Sequence, residues 1–215
     1  MTFSPKVLLV GVVLIASPAA AEGISPKTAR ALLEQLQVAE PVVSQKYDRK
    51  FFPHWRDSDR NCRNTRDEVL VRESSIATSG ECDIVRGRWT SLYDGATVLS
   101  ASELEIDHVV ALKEAWISGA WRWSRDRRVA FANDLGYRGS LLAVTESSHE
   151  PKRDKDPARW LPRRGVCEFA VHWVAVKWRW QLTIDLQEQA SLKRLLSGDC
   201  GKRGISDVTR YPDGS

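Results

Sequence analysis

The sequence predicts a mainly helical α+β single domain with disulfides, on three observations. Most apolar residues recur at helical spacing. Two short β-prone runs, one entering Asp107-His108 and one over residues 141–144, are separated by helical sequence and followed by a short helix. Four cysteines, Cys62, Cys82, Cys167 and Cys200, stand in a chain that opens with an export signal.

That signal is Lys6, an unbroken apolar run from Val7 to Ala16, then Ser17-Pro18 and the triplet Ala19-Ala20-Ala21, the layout of a signal peptide cleaved after residue 21. The run stops well short of the roughly 20 apolar residues that a membrane-crossing helix needs. The mature chain from Glu22 is therefore expected to be soluble, secreted or periplasmic, monomeric, and without stable membrane association. The chain holds 32 Lys+Arg against 28 Asp+Glu, and one of those lysines is in the signal, so the mature excess is three. Such a balance permits contact with a polyanion without requiring it.

Along the mature chain, residues 22–46 form a leading helix and linker. Ser25 is its N-cap, Pro26 its first helical position, and Ala29, Leu32, Leu33 and Leu36 one apolar face. Thr65-Arg66-Asp67-Glu68 forms a capping box opening a short helix through Leu70 and Val71. Asp94-Gly95 supplies a tight turn between the β-prone run with Trp89 and the run Ala96 to Leu99. Leu104 and Ile106 alternate with Glu103, Glu105 and Asp107, which predicts a strand with one wet face. Helical sequence from Lys113 to Asn133 breaks at Gly119 and restarts at Ser124, with Asn133 as a helix-end residue.

The strand over 141–144 leads to Thr145, Ser147 and Ser148, which cap a short helix carrying His149. Asp156-Pro157 opens a turn. Val166, Phe169, Ala170, Trp173, Val174, Lys177 and Trp180 mark a core helix, so Trp173 and Trp180 are packing residues rather than base-stacking ones. Asp185 and Glu188 cap a last helix with Leu192, Leu195 and Leu196, ended by Gly198. Residues 201–215 read as a polar, mobile tail. Of three possible cysteine pairings, Cys62 with Cys82 and Cys167 with Cys200 is favoured because each closes a short local loop. No pair has the C-x-x-C spacing of a zinc knuckle.

Phosphodiester cleavage requires a water nucleophile, a proton acceptor, and positive charge at the leaving oxygen. Asp107 is a carboxylate able to hold a divalent cation, and the adjacent His108 is able to accept a proton at neutral pH. His149 supplies an imidazole nitrogen to complete the metal site, and Lys152 and Arg153 follow it as substrate-binding charges. His54 and His172 are expected to be ordinary structural residues.

These residues sit in ordered segments: Tyr47-Asp48-Arg49, Cys62 to Arg72, Ile106 to Leu112, Phe131 to Asp134, Lys155 to Pro162, and Cys167 to Lys177. Together they resemble the secreted HNH endonuclease family related to the C-terminal nuclease domain of GmrSD restriction enzymes, over residues 47–200. The resemblance implies a ββα-metal core in which Asp107 binds the metal and His108 is the general base. It also implies a nucleic acid substrate, DNA or RNA, and one divalent ion, with Mg²⁺ or Mn²⁺ ahead of Ni²⁺ or Zn²⁺.

His149 stands where the family usually has Asn, an exchange that favours the borderline metals somewhat more. Ser140 stands where the middle Asn that steadies the base is often found, and Arg153 where Gly is common. Arg66 and Glu68 lie in a shared segment, which suggests that Arg66 contacts the scissile phosphate and that Glu68 orients Arg66 or His108. The competing expectation is a catalytically silent binding protein with the same fold. A secreted zinc hydrolase of another kind is disfavoured by the lack of an H-E-x-x-H helix.

Overall fold

The computed structural model describes Met1, residues 27–205 and residues 207–212, so the signal segment beyond Met1, together with Ser25 and Pro26, lies outside the described residues. Lys27–Thr28 forms strand β1, which pairs antiparallel with Gly204–Ile205. Helix α1 (Ala29–Leu33) follows directly, and its cap is Thr28 rather than Ser25: the Thr28 hydroxyl accepts from the Ala31 amide at 3.2 Å. The expected face is buried, with Ala29, Leu32, Leu33 and Leu36 all in the core.

Helix α2 (Thr65–Glu73) starts one residue earlier than the capping box implies. Asn64 is its cap, accepting from the Arg66 and Asp67 amides. The Thr65 hydroxyl instead turns inward to the Arg56 carbonyl and the Asn133 side chain, and the Glu68 carboxylate accepts from the Asn61 amide at 2.8 Å.

Strands β2 (Arg86–Thr90) and β3 (Thr97–Ser100) form the expected hairpin. Its loop is wider than a two-residue turn because only Gly95 of the Asp-Gly pair takes a positive φ, +76°.

Strand β4 (Leu104–His108) then leads through α3 (Leu112–Ile117), the break at Gly119, and α4 (Arg125–Ala132) capped by Ser124. The chain returns as β5 (Leu141–Thr145), antiparallel to β4 with Asp107 opposite Leu142 and His108 opposite Leu141, and turns at once into α5 (Glu146–Lys152). Leu104, Ile106, Leu141 and Ala143 face the small core under α2, whereas Leu142 and Val144 face the main core. The ribbon is thus covered on both sides, and the wet face expected for β4 reduces to Glu105, since Asp107 is 2% exposed.

Helix α6 (Val166–Trp180) runs through the main core and α7 (Leu186–Leu195) packs beside it. Trp173 and Trp180 are fully buried, with their indole N–H groups donating to Glu188 and Asp134. Lys177, on the same stripe, is accommodated by Glu114 at 2.7 Å, Glu188 at 3.3 Å, Ser118 and the Thr183 carbonyl. Burial pushes the Glu188 carboxyl up to about 7 against the pull of Lys177.

The tail is not the free segment expected from its polarity. Strand β6 (Gly204–Ile205) closes on β1, Val208 is buried, Arg179 donates to the Thr209 carbonyl, and Tyr211 stacks on Trp180 at 4.0 Å. Both disulfides pair as expected, Cys62 with Cys82 and Cys167 with Cys200, at Cα separations of 5.1 and 5.6 Å.

Candidate active site

Side chains alternate across a strand, so Asp107 points to the opposite face from Ile106 and meets α5. Three groups converge on its carboxylate. Lys152 Nζ lies 2.9 Å from Oδ1, His149 Nε2 lies 3.4 Å from the same oxygen, and the Tyr93 hydroxyl donates to Oδ2 at 2.6 Å. Burial pushes the Asp107 carboxyl up. Lys152, His149 and Tyr93 together outweigh it and hold the group below the usual carboxylate range. The same burial, with the Asp107 charge alongside, pushes the Tyr93 hydroxyl well up, so it remains a donor.

His108 lies between two aromatic planes, Trp55 at 5.8 Å and Phe131 at 6.4 Å. Its Nε2 is 2.9 Å from the Ala132 carbonyl. A carbonyl can only accept, so Nε2 carries the proton and Nδ1 keeps its lone pair. Burial pushes the ring down to about 4, although the Ala132 bond and Asp107 oppose it. His108 is therefore a neutral imidazole at physiological pH, with its tautomer set by the backbone.

Asp107, His108, His149 and Arg153 line one cleft of about 360 Å³, joined by Arg49 and Trp55 from the segment ahead of α2. Arg153 holds φ +50° at the end of α5, a left-handed conformation in which glycine would be unstrained. Its backbone there ends the helix and turns the chain along the cleft.

The donor set can be compared with the divalent ion that the resemblance implies. Asp107 Oδ1 and His149 Nε2, a hard oxygen and an imidazole nitrogen, stand 3.4 Å apart. Neighbouring ligands of one cation with bonds of about 2.1 Å are separated by about 3 to 3.5 Å. Among the described residues no third His, Cys, Asp or Glu joins them. The separation of these two donors fits a shared cation, which Asp107 and His149 would hold beside the Lys152 ammonium that already lies 2.9 Å from the same oxygen.

Four sequence expectations for this site are corrected. Lys152 is not a substrate contact: it is 0% exposed and bonded to Asp107 and to the His108 carbonyl at 2.9 Å. Arg66 does not line the cleft, because its guanidinium donates to the Ala101 and Leu104 carbonyls. Glu68 is engaged with Asn61 and orients neither Arg66 nor His108. The Ser140 hydroxyl donates to Asp134 at 2.7 Å, away from the base, and only its carbonyl touches the strand end, through the Val109 amide. The steadying of His108 falls to the Ala132 carbonyl instead.

Asn133 does end α4, and its side chain ties that end to Pro53, Arg56 and Thr65. His172 is held by the Tyr137 hydroxyl, as a structural residue would be. Sequence reasoning missed Tyr93, Trp55 and Arg49. Tyr93 sits in a hairpin loop with no periodic signal, whereas Arg49 was visible only as part of the Tyr47-Asp48-Arg49 segment.

Fold and site together define a single-domain α+β protein, cross-linked by two disulfides, with a buried Asp-Lys pair flanked by two histidines on an open cleft. A protein of Arthroderma benhamiae described as an uncharacterized secreted protein is 38% identical over 176 residues, covering 80% of this chain and 85% of that relative. The chain belongs to the family of that protein and is secreted. No family model matches the chain, and no solved structure matches it. Among the described residues no helix is long and apolar enough to cross a membrane.

Proposed function

We propose that this protein is a secreted, metal-dependent endonuclease of the HNH type, hydrolysing phosphodiester bonds of DNA or RNA on a ββα core made of β4, β5 and α5. The observation that carries the reading is His108. Its Nε2 proton is committed to the Ala132 carbonyl, which leaves the Nδ1 lone pair to act as the base, and the residue lines the same open cleft as Asp107 and His149. The segment resemblance supports the same assignment.

A divalent cation held by Asp107 and His149 would supply positive charge to the scissile phosphate and the leaving oxygen. Mg²⁺ or Mn²⁺ suits a carboxylate-led set, with Ni²⁺ or Zn²⁺ next because of the imidazole. His108 takes the proton of the attacking water at Nδ1, and the Ala132 carbonyl stabilises the imidazolium that results. Lys152 keeps Asp107 ionised, and Tyr93 fixes the carboxylate rotamer. Arg153, at the cleft edge, draws the phosphate strand in.

A binding protein without catalysis is favoured by one observation: Lys152 already neutralises Asp107 without any metal. The test is an assay of mature protein on plasmid, linear and single-stranded DNA and on RNA, across a panel of divalent metals. Cleavage that requires metal, stops with chelator and is lost in His108→Ala supports the endonuclease. Binding without cleavage under every metal refutes it in favour of the silent module.

A further inference from the structure

Arg49 begins a short 3-10 turn, and the acid beside it is already spent. Asp48 accepts from the Lys50 amide and pairs with the Lys50 ammonium, both at 2.9 Å. Arg49 itself is exposed on the cleft wall, and among the described residues it has no carboxylate partner. Its recorded bond runs from Nη2 to His54 Nε2 at 3.2 Å.

His54 Nδ1 lies 2.8 Å from the Phe52 carbonyl, which can only accept. The proton therefore sits on Nδ1, and Nε2 presents a lone pair to Arg49. This arrangement aims the guanidinium without neutralising it. A carboxylate in the place of His54 would fix the side chain equally well but cancel its charge. Of the five guanidinium N–H groups one is committed, so a two-pronged face remains for an anion.

Of the other cations lining the cleft, Lys113 is tied to Asp154 at 2.5 Å, whereas Arg153 stands at the end of α5 with no side-chain partner to aim it among the described residues. Arg49 lines the same cleft as Asp107, His108 and His149.

We propose that Arg49, aimed by His54, is the residue that grips a substrate phosphate beside the scissile bond, the role that the family resemblance had suggested for Arg66. This inference rests on the endonuclease reading and deepens it by naming the anion-binding residue and its positioning partner. Arg49 is the contact residue and His54 its positioning partner, whose ring also packs edge-on against Trp55 at 5.1 Å and His108 at 6.3 Å. Arg49 is exposed and His54 half-buried, and neither belongs to the two hydrophobic clusters.

The experiment compares wild type with Arg49→Ala, Arg49→Lys and His54→Ala. It measures kcat/KM for an oligonucleotide, and affinity for a hydrolysis-resistant phosphorothioate oligonucleotide in divalent-metal buffer, both over a salt series. Arg49→Ala is expected to lose about a hundredfold in kcat/KM. It should also lower the slope of log affinity against log salt by about 0.7 to 0.9, the signature of one lost phosphate contact.

Arg49→Lys should keep the slope and lose most of the rate, because it retains the charge but not the fork. His54→Ala should lose about tenfold in kcat/KM with an unchanged slope, since the charge stays. An Arg49→Ala protein with the wild-type slope and kcat/KM within threefold overturns the inference and leaves the endonuclease standing. A wild-type protein that neither binds nor cuts overturns both.

Discussion

Replacing Lys152 by methionine removes an ammonium while keeping the length of the side chain, so the change isolates charge from packing. In the wild type the ammonium is fully buried, 2.9 Å from Asp107 Oδ1 and 2.9 Å from the His108 carbonyl. Without it Asp107, itself 2% exposed, keeps only the Tyr93 hydroxyl and the half-exposed His149 ring. Removing one partner of a buried ion pair leaves an uncompensated charge and costs about 3 to 5 kcal/mol.

For a domain of this size that loss lowers Tm by on the order of 10 °C. Urea unfolding at pH 7 measures it directly. Asp107→Asn introduced into the Lys152→Met protein should recover a large part of the loss, because the unpaired charge goes with it. A Lys152→Met protein within about 1 kcal/mol of wild type would refute the reasoning. So would a double variant no more stable than the single one.

Opening the Cys62–Cys82 bridge by a double serine substitution should destabilise the oxidised protein by about 3 kcal/mol for a loop of this length, as read by the urea midpoint. An unchanged midpoint would show that the bridge constrains nothing the unfolded chain explores. His172 is pushed down to about 4 by burial, so between pH 6.5 and 4 the unfolded chain binds the proton that the fold refuses. Wild-type stability should therefore fall relative to His172→Gln as pH drops through that window, by up to about 3 kcal/mol, with no difference in trend above pH 7. Parallel curves in urea melts from pH 7 to 4 would contradict the assignment. Tyr211→Ala removes the stack on Trp180 and should cost about 1 to 2 kcal/mol, whereas a free tail would show no change in thermal melts.

Local pattern carried much of the fold. The stripe from Val166 to Trp180 repeats at the helical period whatever surrounds it, so α6 was legible with its buried tryptophans. Gly119 and Ser124 mark the break and restart between α3 and α4 for reasons confined to their own backbones. Caps were less legible. Asn64 displaced Thr65 as the cap of α2 because the Thr65 hydroxyl turns inward to Arg56 and Asn133, and α1 starts at Ala29 because Lys27–Thr28 is paired as a strand. The tail seemed free because its polarity hides three contacts, Ile205, Val208 and Tyr211, made to elements far away in sequence.

The sequence by itself determined most of the element types, favoured one of three cysteine pairings and picked out the candidate pair Asp107 and His149, because residue chemistry and short-range periodicity are written locally. Only the tertiary structure decided which charges serve which end. Lys152, which any local rule would send to solvent, is turned inward by α5 packing against the β4–β5 ribbon, where a buried carboxylate 45 residues away offsets its desolvation. Arg66 is drawn to two backbone carbonyls by α2 packing over the small core on the other face of the ribbon, and Arg49 is left facing the cleft with its charge intact. Burial and pairing depend on what the whole chain brings together, and no window of neighbouring residues contains that information.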